Sequence, residues 1–124
     1  MRYIVQDPAH KTTEGVLSLT MGKNGLPANS AQTLGRAWRL LSMTLHSNAA
    51  LTQESLTVTL DSKIAAAYDA VLLSQPMAGL ADLLWVPTGE LIFCPDDDIV
   101  IAYANTDAAT LGLVVMWAIV YGGP

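Results

Sequence analysis

The sequence predicts an all-β fold of two antiparallel sheets packed as a sandwich, and three observations carry that prediction. Apolar and polar residues alternate with a period of two in several runs, as half-buried strands require. Turn clusters separate the runs at intervals of roughly 8–12 residues. No stretch holds a convincing helical pattern. In the clearest runs Leu17, Leu19 and Met21 alternate with Ser18 and Thr20, and Leu56, Val58 and Leu60 alternate with Thr57 and Thr59. Ile99, Ile101 and Tyr103 alternate with Val100, Ala102 and Ala104 in the same way.

Taken in order, strands are predicted near residues 3–5, 16–21, 37–47, 56–62, 68–74, 83–86, 90–93, 99–104 and 112–121. Residues 1–35 are weakly patterned and read as an N-terminal arm carrying the first strands, with a mobile stretch over 26–35. Residues 36–124 read as a sandwich of jelly-roll type, and the whole chain as a single domain. Gly22-Lys-Asn-Gly25 ends the first clear run as a turn and lacks the pattern of a phosphate loop. Over 37–47, Leu41, Met43 and Leu45 alternate with Ser42, Thr44 and His46, so this segment is expected to pair with the strand at Leu56. The alanine-rich 63–68 allows a helical turn. Pro76, Pro87 and Pro95 forbid a long helix beyond it, because proline lacks a donor and clashes with the preceding turn. Pro95-Asp-Asp-Asp98 reads as a solvated hairpin turn joining the strands at 90–93 and 99–104.

Composition bounds the function. Only 14% of the 124 residues are charged against 52% hydrophobic, which excludes disorder and implies deep burial or a covered surface. The net charge of −5 disfavours nucleic acid and anionic membrane as partners. All six basic residues lie within the first 63 positions, so the two halves of the chain could form surfaces of different charge. Cys94 is alone, which rules out an internal disulfide and suits a buried structural thiol. The first residues lack a long apolar run, so no secretory leader is expected. No apolar stretch approaches the ~20 residues that span a bilayer as a helix, and the chain reads as soluble.

The last predicted strand is the most informative. One face carries Leu113, Val115, Trp117, Ile119 and Tyr121, and the other carries Val114, Met116, Ala118 and Val120. A sandwich strand has one dry and one wet face, so apolar residues on both faces imply that one face meets a partner. Val114, Met116, Trp117, Ala118, Val120 and Tyr121 are therefore the candidate subunit-interface residues.

Residues for chemistry are sparse. His10 and His46 stand in no catalytic motif, Cys94 has no histidine near it in sequence, and the G-x-S-x-G elbow is absent. No catalytic residue is assigned and no cofactor is expected. Asp96, Asp97 and Asp98 would suit calcium in charge, but adjacent residues of an extended chain point apart, and no metal site is assigned. Trp38, Trp85 and Trp117 could serve as stacking platforms of a carbohydrate-binding or adhesive module, although all three lie in apolar runs that suit packing.

From Arg36 to Val120 the chain resembles small jelly-roll structural proteins of tailed bacteriophages. The segments that carry the resemblance are Trp38-Arg-Leu-Leu-Ser-Met-Thr-Leu-His-Ser47, Leu56-Thr-Val-Thr-Leu-Asp-Ser62, Ala67-Tyr-Asp-Ala-Val-Leu-Leu73 and Trp85-Val-Pro87. The acidic turn at Asp96–Asp98, Ile99-Val-Ile-Ala-Tyr-Ala-Asn105 and Gly112-Leu-Val-Val-Met-Trp117 complete it. The likeness lies in strand and turn texture over about two thirds of the chain. It implies a non-enzymatic capsid decoration (cement) or head-fibre protein, commonly a homotrimer, made in the host cytoplasm and bound to the major capsid protein at the virion surface. By the same analogy residues 1–35 would grip the capsid lattice or a neighbouring subunit.

Overall fold

The computed structural model describes residues 2–5, 9–22, 37–94 and 97–121. Among these residues ten strands run in the order β1 (Arg2–Val5), β2 (Ala9–Thr13), β3 (Leu17–Gly22), β4 (Trp38–Ser47) and β5 (Ser55–Asp61), followed by β6 (Ala70–Pro76), β7 (Asp82–Trp85), β8 (Ile92–Phe93), β9 (Asp98–Tyr103) and β10 (Leu111–Tyr121). The alanine-rich segment makes a single 3-10 turn at Ala66–Tyr68, as its composition allows.

The strands form two antiparallel sheets packed as a β-sandwich. In the first, β10 and β4 are central; β1 and β2 line the outer edge of β10, and β7 and β8 line the outer edge of β4. The second has the order β3-β9-β5-β6. Pairing is nested: β1 and β2 with β10, β3 with β9, β4 with β7 and β8, β5 with β6. The chain is thus one long antiparallel ribbon, doubled back between β5 and β6 and rolled so that successive pairs fall in alternate sheets.

This winding corrects two expected hairpins. β4 and β5 do not pair; β4 lies against β10 while β5 lies against β6 and β9 in the other sheet. The connection crosses the sandwich, and Leu51 anchors it by sitting 1% exposed in the core. Likewise β8 and β9 belong to different sheets, so the acidic segment is a crossover and not a hairpin turn. Asp96 lies outside the described residues, whereas Asp97 and Asp98 are buried. Asp97 is buried because its carboxylate is used: Oδ1 accepts the Lys63 N–H at 2.9 Å and Oδ2 accepts the Cys94 N–H at 3.1 Å. Cys94 itself is exposed, contrary to the buried thiol expected.

Within residues 1–35, β1, β2 and β3 are integral to the two sheets; the expected mobile stretch 26–35 lies outside the described residues. The pairing of β4 with β10 shifts by one between Met116 and Trp117, which leaves Leu41 as an extra residue opposite β10. A bulge changes which face the following residues occupy. Trp38 and Leu40 point inward before it, and Met43 and Leu45 point inward after it. Without the extra residue one of these pairs would face solvent. The core between the sheets includes Leu17, Met21, Leu56, Val58, Ile99 and Ile101 from the second sheet, facing Met43, Leu45, Leu113 and Val115 from the first. Each such side chain contributes about 1.5–3 kcal/mol on full burial. Trp38 packs on Phe93 across β4 and β8, ring centroids 4.6 Å apart.

Candidate interaction face

The outer face of the first sheet is built by the registers that cross it. His10, Val114, Thr44 and Leu84 form one row across β2, β10, β4 and β7. Thr12, Gly112, His46 and Asp82 form the next, and Met116 stands beside Ser42 in a third. Val114, Met116 and Val120 are half-buried. Leu84 is 66% exposed, and Val86, just past β7, is 60% exposed. Apolar side chains on β10 and β7 therefore flank the hydroxyls of Ser42 and Thr44. At one border the His46 ring Nδ1 lies 2.5 Å from Asp82 Oδ1, a cross-strand pair whose side chains are about three-quarters exposed. Solvent screens such a pair, so it orients this corner and adds little stability.

Of the six interface candidates, the structure brings Val114, Met116 and Val120 to this face. Trp117 and Ala118 are instead buried within the chain, at 1% and 0% exposure, and present no surface to a partner. Trp117 faces the core because it follows Leu111, Leu113 and Val115 on the inward side of β10. The side chain of Tyr121 lies outside the described residues. Leu84 and Val86 were not singled out from sequence, although Leu83-Leu-Trp-Val86 carries the same signal as β10. Leu83 and Trp85 pack on the core, leaving the residues between and after them to solvent.

The other possible sites look different once folded. Trp38 and Trp117 are buried and Trp85 packs partly buried against the core, so none stands out as a flat sugar platform. A shallow groove of about 340 Å³ lies over the second sheet, with Val16, Ser18, Ser55, Thr57, Ala102 and Ala104 among its lining and no acid, histidine or cysteine. Tyr103 also lines it, but its hydroxyl donates to the Gln53 carbonyl at 2.7 Å. Among the described residues no three His, Cys, Asp or Glu side chains come together as a metal site. No helix among them is long and apolar enough to cross a membrane.

No known protein family matches the chain, and comparison with curated proteins gives no match.

Proposed function

We propose that the chain is a non-enzymatic structural protein of a virion: a jelly-roll sandwich that assembles as an oligomer, a trimer by analogy, and stabilises a capsid by binding its outer surface. The nested pairing of first strand with last, second with second-last and so inward supports the jelly-roll reading, since that is the winding of a rolled antiparallel ribbon. The virion role comes from the resemblance of residues 36–120 to phage decoration and head-fibre proteins.

The observation that carries the assembly reading is the face on which Val114, Met116 and Leu84 lie, with Val86 exposed just past β7. These apolar side chains lie on one face with only the small Ser42 and Thr44 of β4 between them, and such groupings mark contact surfaces, because leaving them in water forgoes roughly 2.5 kcal/mol per 100 Å² of apolar area before ordering costs. Docking a trimer would then raise a modest single-site affinity through effective concentration.

Light scattering coupled to size exclusion tests the reading. The expected result is an oligomer at micromolar concentration that Leu84→Lys with Val114→Lys converts to a folded monomer, with an unchanged far-UV spectrum. A wild-type monomer under the same conditions would overturn the assembly reading.

A further inference from the structure

At one end of the sandwich two crossing loops exchange carboxylates. In the β4–β5 loop, Thr52 gives its backbone N–H to Asp107 Oδ2 at 2.8 Å and its hydroxyl to Asp107 Oδ1 at 2.7 Å. Gln53 adds its side-chain amide to Asp107 Oδ1 at 3.3 Å. In return, Thr106 of the β9–β10 loop gives its N–H to Glu54 Oε1 at 2.9 Å and its hydroxyl to Glu54 Oε2 at 2.8 Å. Each loop thus lends an acid to the other and receives a threonine from it. The three non-glycine residues with positive φ among the described residues are Glu54 (+77°), Asn105 (+53°) and Ala108 (+55°), all in these two loops. Such backbone states persist where the surroundings over-determine them.

We propose that Glu54 and Asp107 form an acid-released latch: with both carboxylates ionised the two loops behave as one body, and protonation uncouples them while the sheets stay folded. An ionised carboxylate accepts hydrogen bonds roughly twice as strongly as a neutral group, and a protonated one must turn one oxygen into a donor. Both Thr52 donors and both Thr106 donors then compete for fewer acceptors. Among the described residues, the loops at this end (14–16, 48–54, 77–81 and 104–110) contain no Lys, Arg or His to oppose proton uptake. The titratable group that senses both carboxylates is the Tyr103 phenol, and on the neighbouring 14–16 loop Glu14 accepts the Thr110 hydroxyl at 3.2 Å. The hydrogen bonds from Thr52 hold Asp107 below the ordinary aspartate range, which sets release in acid.

The opening is local because other contacts survive protonation. Met77 N–H still donates to the Glu54 carbonyl at 2.9 Å, and the Tyr103 hydroxyl still donates to Gln53. Beneath them Leu51, Leu56 and Leu111 are almost fully buried. The latch does not depend on what the outer face of the first sheet binds.

Native-state hydrogen exchange by NMR tests it. Protection of the Thr52 and Thr106 amides should fall by about tenfold or more between roughly pH 5 and pH 2, while the central-strand amides of Val58, Ile101 and Val115 stay protected. The double variant Asp107→Asn with Glu54→Gln should show low protection of both threonine amides at neutral pH and no further loss in acid. Unchanged protection in acid would overturn the latch. So would loss at the threonines in step with the three core amides, which would make the event global unfolding. If the double variant fails to fold, the wild-type pH series alone decides between these outcomes.

Discussion

Gly22→Ala should be among the most destabilising single-methyl additions in this protein. Gly22 ends β3 at φ +130° and pairs with Asp98 of β9. A Cβ there would run into the Asp97 carbonyl oxygen and the Asp98 carboxylate, and would come within 2.8 Å of the Asp98 Cα. That backbone cannot give way cheaply. The Asp97 carboxylate holds the Lys63 and Cys94 N–H groups, and Asp98 sits in register with both Gly22 and Asp61. Positive φ costs an L-residue about 1–2 kcal/mol. Forcing packed backbone apart adds about 1–3 kcal/mol. The sum of about 2–5 kcal/mol, divided by a urea m-value of about 2 kcal/mol/M, lowers the unfolding midpoint by roughly 1–2.5 M. Gly112→Ala is the internal control: nothing lies within 4 Å of its Cβ position, on a strand of the same core. Its midpoint should stay within about 0.3 M of wild type. Urea melts followed by tryptophan fluorescence measure both. If the two variants melt together, Gly22 is not held by the β3–β9 corner and the reasoning fails.

Two further predictions concern pH. Burial, with the charges of Glu54 and Asp107 adding to it, pushes the Tyr103 phenol above its ordinary value. A raised folded pKa means the stabilisation is complete below the unfolded value of about 10 and is lost as pH rises from there through the folded value. Tyr103→Phe should therefore flatten the alkaline limb of a stability–pH curve from chemical melts, at a cost near neutrality of about 0.5–1.5 kcal/mol for the lost hydrogen bond. Asp107 has the opposite sign: its depressed folded pKa gives stabilisation that is complete above about 3.9 and lost as pH falls through the folded value. Asp107→Asn should make the acid limb shallower, and an acid limb as steep as the wild type's would contradict the assignment.

The faces of the strands were legible in the sequence, and their partners were not. Leu17, Met21, Leu56, Val58, Ile99 and Ile101 are buried as alternation requires, because side-chain period fixes which residues share a face. Nothing in that period says whether a strand pairs with its neighbour in sequence or with one far along the chain. Hence alternation predicts hairpins for β4–β5 and β8–β9, whose connections in fact cross between sheets. β2 leaves no alternation to read, because Ala9-His-Lys-Thr-Thr13 lies on an edge and has only one buried residue, Ala9. A count by twos puts Leu41 on the face of Met43, because a bulge is a tertiary accommodation invisible to it. The threonine–carboxylate exchange was also out of reach, because its members are more than fifty residues apart.

The apolar outer side of β10 could be dismissed as a result of its position. β10 is paired along both edges, and neighbours on either side shade whatever a central strand points outward. β4 answers that objection. It is also central, between β10 and the β7–β8 edge, and it shares the same solvent face. Yet apart from Leu41 at the bulge, its outward residues are Arg39, Ser42, Thr44 and His46. A central position in this sheet thus tolerates polar and charged side chains and does not dictate apolar ones. Nor does shading explain β7, an edge strand, where Leu84 is 66% exposed. The apolar residues flank a polar central strand, a pattern that follows from neither position nor core packing. It agrees with the assembly proposed above, in which a second chain would cover the apolar residues of β10 and β7 and meet the Ser42 and Thr44 hydroxyls between them.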